Sequence, residues 1–184
     1  TLTLSRDVKL ASSAASLSAI VLSGAKLVTG GSGVTSPLVT VQAGSRIGDG
    51  LSLASSGGSV TVVAGTYAED ISFAGNAVLA TSGGQVTISG ATATPLALTG
   101  ASSLTVSGSV AVTTSLKSTP QVQVGGTSTL VLDGNQALTG SNLTVASGAT
   151  LTATAGTTST QPIALTGGTI AAAASGTVIF SGAV

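Results

Sequence analysis

The chain has 184 residues, of which 42% are hydrophobic, 5% charged and 2% aromatic, with five basic residues balancing five acidic ones. It contains no Cys, Met, Trp or His, so a disulfide framework, a thiol nucleophile and a histidine base are all excluded. Arg6, Lys9, Lys26, Arg46 and Lys117 are too few and too scattered to neutralise a run of phosphates, which argues against nucleic acid as a partner.

The length fits one domain with a sizeable core. With Tyr67, Phe73 and Phe180 as its only aromatics, that core must be filled by Val, Leu, Ile, Ala and Thr, which pack best as repeated thin layers. Apolar runs such as 19–22 and 170–174 fall far short of the roughly 20 residues of a spanning helix, so no membrane span is expected. Intracellular proteins carry about 25% charged residues, and the low charge here reads as an extracellular or cell-surface protein. A start at Thr1 without any Met reads as a processed product or a fragment, with any signal peptide already removed. Disorder is disfavoured, because short alternating runs of aliphatic residues recur between Gly and Ser almost to the end.

In chain order, Thr1-Leu2-Thr3-Leu4-Ser5 alternates as one strand. The stretch from Val8 to Leu27 is rich in Ala and Ser and mixes helix and strand signals. Residues 1–45 are read as an N-terminal strand and cap region, and residues 46–184 as the coils that follow. Ile47, Leu51 and Ala54 stand at i, i+4 and i+7 ahead of Ser55-Ser56-Gly57-Gly58, the spacing of a short amphipathic helix with a glycine stop.

Further on, the chain repeats itself. Pro95-Leu96-Ala97-Leu98-Thr99-Gly100 precedes Ser103-Leu104-Thr105-Val106-Ser107-Gly108. Pro120-Gln121-Val122-Gln123-Val124-Gly125 precedes Thr129-Leu130-Val131-Leu132-Asp133-Gly134, and Pro162-Ile163-Ala164-Leu165-Thr166-Gly167 precedes Thr169-Ile170-Ala171-Ala172. Pro37-Leu38-Val39-Thr40-Val41 is an earlier echo, and Asn142–Val145 with Ala149–Ala153 supply an intervening copy. Proline has no N–H for a ladder, so it belongs at a strand's first residue and marks one recurrent corner. The proline spacings fit one and two coils of roughly 21 to 25 residues. Such strands can form antiparallel hairpins or the successive sides of a parallel solenoid. Among the repeated segments Asp133-Gly134 is the one hairpin-type pair, whereas Ser-Gly, Thr-Gly and Gly-Gly recur at similar offsets, which favours the solenoid. Leu98, Val124 and Leu165 are then expected in one inward column, with Ala97, Gln123 and Ala164 facing outward.

The segment from Arg46 to Gly90 resembles the start of a pectate-lyase-like right-handed parallel β-helix: Ile47–Ala54 resembles its capping helix, Gly57–Val62 its first strand, and Gly65-Thr66-Tyr67-Ala68-Glu69 its turn before the next strand. Asp49 between two glycines departs from that cap, where better helix formers are usual. The downstream Ser/Thr/Gly strands resemble passenger solenoids of bacterial autotransporters and adhesins. The resemblance implies an all-β right-handed parallel β-helix of roughly five to seven coils with a small N-terminal cap. In catalytic relatives it would imply clustered carboxylates, with calcium or a basic residue beside them. Here Glu69 and Asp70 are adjacent and would point to opposite faces of a strand, and Asp7, Asp49 and Asp133 are far apart in the chain.

No enzyme, metal or cofactor is therefore expected. Tyr67 and Glu69 read as turn and cap packing, Asp133-Gly134 as a turn, Asn142-Leu143-Thr144 as a chance glycosylation sequon and Lys117 as a solvated charge. The expected function is a structural subunit of an extracellular bacterial filament, sheath or adhesin; a carbohydrate-binding or ice-binding module is the alternative. The expected partner is a second copy of the chain, or adjoining coils of a longer chain. The uncharged terminal strands would carry that assembly, through Thr1, Leu2, Thr3 and Leu4 at one end and Val178 and Phe180 at the other.

Overall fold

The computed structural model describes residues 1–10, 14–28, 33–90, 94–114, 122–125, 128–133, 138–139, 143–153, 158–159, 163–172 and 179–180. Every strand pairing among them is parallel, and the strands stack into a β-solenoid of about six turns with one short helix. The first face runs through β1 (Leu2–Leu4), β3 (Ile20–Leu22), β4 (Val34–Val41), the first part of β5 (Ala54–Tyr67) and of β7 (Asn76–Gly90), then β9 (Ser103–Ser107), β12 (Thr129–Asp133), β15 (Thr150–Ala153) and β18 (Thr169–Ala172). The short β2 (Ala15–Ser16) pairs with the start of β4. The second face stacks β6 (Ile71–Phe73), β8 (Leu96–Leu98), β11 (Val122–Val124), β14 (Leu143–Ala146) and β17 (Ile163–Thr166).

A third face exists because β5 and β7 are long enough to turn a corner. The β5–β7 register shifts between Val63 and Gly65, after which Gly65–Tyr67 pair with Val86–Ile88. The end of β7 in turn pairs with β10 (Val110–Thr114), and β10 with β13 (Leu138–Thr139). β16 (Thr158–Ser159) and β19 (Ile179–Phe180) pair with each other.

The core follows from period-two alternation on each face. On the first face, Leu2, Ile20, Val39, Val60, Leu79, Val106, Leu132, Ala153 and Ala172 stand in register as one column. From Ile20 to Ala153 every member is buried. Burying a Val, Leu or Ile side chain contributes about 1.5–3 kcal/mol, so the stacked column holds neighbouring coils together without an aromatic centre. The second face carries the expected column: Leu98 pairs with Val124, Val124 with Val145 and Val145 with Leu165. Leu165, on the last rung, is 41% exposed. Outward positions hold as well, with Ala97 half-buried and Gln123 and Ala164 exposed.

The hairpin alternative fails on pairing. β8 bonds to β6 and β11, and β9 to β7 and β12, so consecutive strands lie on different faces. Coil lengths differ from the expected 21–25 residues. The first-face column steps 18 residues from Leu2 to Ile20 and 27 from Leu79 to Val106. The two coils that contain the third-face strands Val86–Ile88 and β10 are the long ones, while the coil from Val60 to Leu79 takes 19 residues although it contains Gly65–Tyr67. Pro95 is buried at the start of β8, while Pro120 and Pro162 lie outside the described residues. The ambiguous stretch after Val8 contains strands β2 and β3 and, among its described residues, no helix. β4 pairs directly with β5, so the first face passes through position 45 without a break.

Candidate functional site

The helix α1 (Ile47–Leu53) stands between β4 and β5, and the second face begins only after it, at β6. Ile47, Gly50, Leu51 and Leu53 are its buried residues. The glycines that weaken its propensity have a packing reason. A Cβ on Gly50 would overlap Cγ2 of Val41 and come within 3.2 Å of Cγ1 of Val60, so only glycine lets the helix lie against β4 and β5.

A helix placed in a stack of strands leaves backbone amides above and below it without ladder partners. Carboxylates fill that role. The helix has no side-chain cap of its own, since Arg46 at its N-cap makes no such bond. Instead Glu69, in the loop after β5 and one coil onward, accepts from Ile47 N–H at Oε1 (2.6 Å) and from Gly48 N–H at Oε2 (3.1 Å). On the other side, Asp49 Oδ2 accepts from Leu27 N–H of the preceding coil at 2.8 Å, and Asp7 Oδ1 accepts from Lys26 N–H at 2.9 Å. Val8 and Leu27 bridge in parallel beside them. Asp49 and Glu69 thus tie α1 to the coils on either side of it, and Asp7 ties together the two coils before it.

Electrostatics record the compromise at Glu69. Burial raises its pKa above the usual carboxylate value, the Ile47 and Gly48 amides pull it back down in part, nearby Asp49 raises it further and Arg46 lowers it. Tyr67, 4% exposed, donates its hydroxyl to Val63 O at 2.7 Å, with Val41 O of the previous coil at 3.4 Å. Burial, followed by the Glu69 charge, raises its pKa. Tyr67 and Glu69 therefore occupy the turn and cap roles that the Gly65–Glu69 motif suggests.

A second polar element was not legible from the chain. Gly75, Ser102, Ser128 and Ala149 immediately precede the aligned residues Asn76, Ser103, Thr129 and Thr150 at one corner. Ser102 and Ser128 are 2% and 0% exposed. The Ser102 hydroxyl donates to Phe73 O at 3.0 Å and accepts from Gly75 N–H at 3.3 Å, while Ser128 Oγ accepts from Ser102 N–H at 3.4 Å. This buried hydroxyl ladder satisfies corner amides that the strands leave over. In the sequence both serines look like ordinary turn punctuation.

The residues expected to carry assembly are spread over the molecule. Thr1 and the strand β1, with Leu2, Thr3 and Leu4, form the outermost rung of the first face, and Leu2 is 36% exposed. Phe180 lies in β19, paired with Ser159 of β16, and Val178 lies outside the described residues, as do Lys117, Asn142 and Gly134. No described helix is long and apolar enough to cross a membrane. Among the described residues no group of three or more Asp or Glu is placed to hold a metal ion. Comparison with protein-family models, with curated proteins and with solved structures gives no match.

Proposed function

We propose that this chain is a non-catalytic structural segment of an extracellular bacterial filament, sheath or adhesin, built on the plan of the pectate-lyase-like and autotransporter-passenger solenoids it resembles. The observation that carries this reading is the use of its few charges: Asp7, Asp49 and Glu69 each accept backbone amides of a neighbouring coil. These carboxylates hold coils in register, which is the work of a scaffold. A low-charge outer surface and continuous aliphatic columns fit a rigid element that extends by stacking. In this reading the outer rungs β1 and β18 meet either further copies or further coils of a longer chain, with Val178 and Phe180 at the second end.

Electron microscopy and light scattering on the purified chain test the self-assembling form. Filaments that disappear on deletion of residues 1–5, or in Val178→Lys or Phe180→Lys variants, support it. A monodisperse monomer at high concentration overturns it and assigns the outer rungs to adjoining coils.

One observation favours the alternative, a binding module. On the first face the pairing aligns Asn76, Ser103, Thr129, Thr150 and Thr169 in a single outward column, although their spacing in the chain varies. Rungs about 4.8 Å apart would present these polar groups as a regular row. Ice-recrystallisation inhibition lost in Thr129→Lys and Thr150→Lys variants would favour this reading over the scaffold; specific, saturable binding on a glycan array would favour a carbohydrate module.

A further inference from the structure

The outer side of the first face carries a pattern that exists only across coils. Val39, Val60, Leu79, Val106, Leu132 and Ala153 are buried, so the residue before each of them faces outward. The pairing aligns those outward residues in one column: Leu38 with Ser59, Ser59 with Val78, Val78 with Thr105, Thr105 with Val131, Val131 with Thr152, and Thr152 with Ala171. Aliphatic and hydroxyl side chains alternate along it from rung to rung. Leu38 is 57% exposed, and the residues from Ser59 to Ala171 are half-buried.

This side is also nearly free of charge. Across the strands β1, β3, β4, β5, β7, β9, β12, β15 and β18, the one charged residue is Asp133, which ends β12. Every other charged residue of the chain stands outside those strands. Rungs about 4.8 Å apart, with roughly four residues to a rung, make a face of about 40 by 13 Å, or about 500 Å². Two such faces together bury about 1,000 Å², the size at which specific association between proteins begins.

We propose that this face pairs with the same face of a second copy, the two solenoids running antiparallel about a two-fold axis at the Thr105 rung. That rung is the centre of the alternating column, with Val78, Ser59 and Leu38 on one side and Val131, Thr152 and Ala171 on the other. The axis sets Val78 against Val131 of the second copy, Ser59 against its Thr152 and Thr105 against its Thr105. Aliphatic groups then meet aliphatic groups and hydroxyls meet hydroxyls. The antiparallel direction sets the largest side chain, Leu38, against the smallest, Ala171, and keeps the gap between the faces even; parallel copies would set Leu38 against itself. A second copy shares the rung spacing and the order of side chains by construction, and the centre of the interface desolvates no charge. The interface uses the outward side of the face rather than the free edges of β1 and β18, so it does not depend on the scaffold reading.

The test is sedimentation equilibrium of the whole chain. A reversible dimer with a Kd of about 10–100 µM is expected, as suits a face at the small end of specific interfaces. Thr105→Lys sets like charges against each other at the axis and should weaken the dimer about tenfold or more, as should Thr105→Glu. Mixing the two variants should restore association, which also shows that both fold. Val131→Thr, which breaks the alternation, should weaken the dimer about threefold. Deletion of residues 1–5 should leave it unchanged. Sedimentation as a monomer up to about 1 mM overturns the proposal. So does a dimer that Thr105→Lys leaves intact, or Lys and Glu variants that stay apart when mixed. A monomer whose glycan binding or ice-recrystallisation inhibition is lost in Thr105→Lys assigns the face to that ligand and overturns it as well.

Discussion

The coils on either side of α1 solve the same stacking problem with different groups. From β6 onward all three faces run, the columns are aliphatic, and the corner amides are satisfied by buried hydroxyls of Ser102 and Ser128. Before β6 no described strand belongs to the second face, and Asp7, Asp49 and Glu69 supply the acceptors that a ladder would have provided. The contrast shows that Asp7, Asp49 and Glu69 serve as acceptors where ladder pairing is incomplete. Where the backbone pairs with itself, apolar columns suffice; where a helix displaces a strand, orphaned N–H groups need carboxylates.

If that division holds, damage in the two regions should differ in kind. The largest effect is expected in the continuous region. Leu104 is fully buried and pairs with Ala77 and Leu130, and its truncation leaves a cavity in the stack. Leu104→Ala should destabilise by about 2–5 kcal/mol in urea unfolding; a loss well below that range would mean the columns do not hold the coils. In the region before β6, Glu69→Ala strands the Ile47 and Gly48 amides and should cost about 1–3 kcal/mol. Hydrogen exchange sharpens that prediction: the Ile47 and Gly48 amides should lose protection while those of β12 and β15 keep theirs. A uniform loss along the chain would count against a local clasp.

Gly50→Ala comes next. Alanine would gain about 1 kcal/mol of helix propensity, but overlap with Val41 costs about 1–3 kcal/mol, so the variant should be less stable by about 1 kcal/mol. A stabilised Gly50→Ala protein would show that the helix does not press on β4. The smallest effect is a pH dependence. Because burial raises the folded pKa of Glu69, the folded state favours its protonated form. Its contribution to stability is fully present below the ordinary value of 4.5 and is lost as pH rises through the raised folded pKa. Relative to Glu69→Gln, the unmodified chain should therefore lose stability as the pH rises from 4.5 through the raised folded pKa. A difference between the two that stays constant across that range, or reverses, would remove burial as the dominant influence on Glu69.

Much of this was readable from the chain. The strands at Ser103–Ser107, Thr129–Leu132, Ala149–Ala153 and Thr169–Ala172 announce themselves through alternation that needs no partner to be recognised. The helix at Ile47–Leu53 shows in the spacing of Ile47 and Leu51, and the cap role of Glu69 in the Gly-Thr-Tyr-Ala-Glu turn. Asp49 misled as a weak spot in that helix; its carboxylate bonds Leu27, 22 residues back, through a contact that no local pattern encodes.

Composition and alternation by themselves determined short strands with an aliphatic core, because side-chain period and residue size are local properties, and the repeat and its turn residues favoured a solenoid over hairpins. The tertiary structure alone decided which rungs align across coils of 18 to 27 residues, where the second face begins, and which serines and carboxylates are buried as acceptors. Those outcomes depend on corners that absorb variable numbers of residues and on partners a full coil away, so they exist only once the coils are stacked.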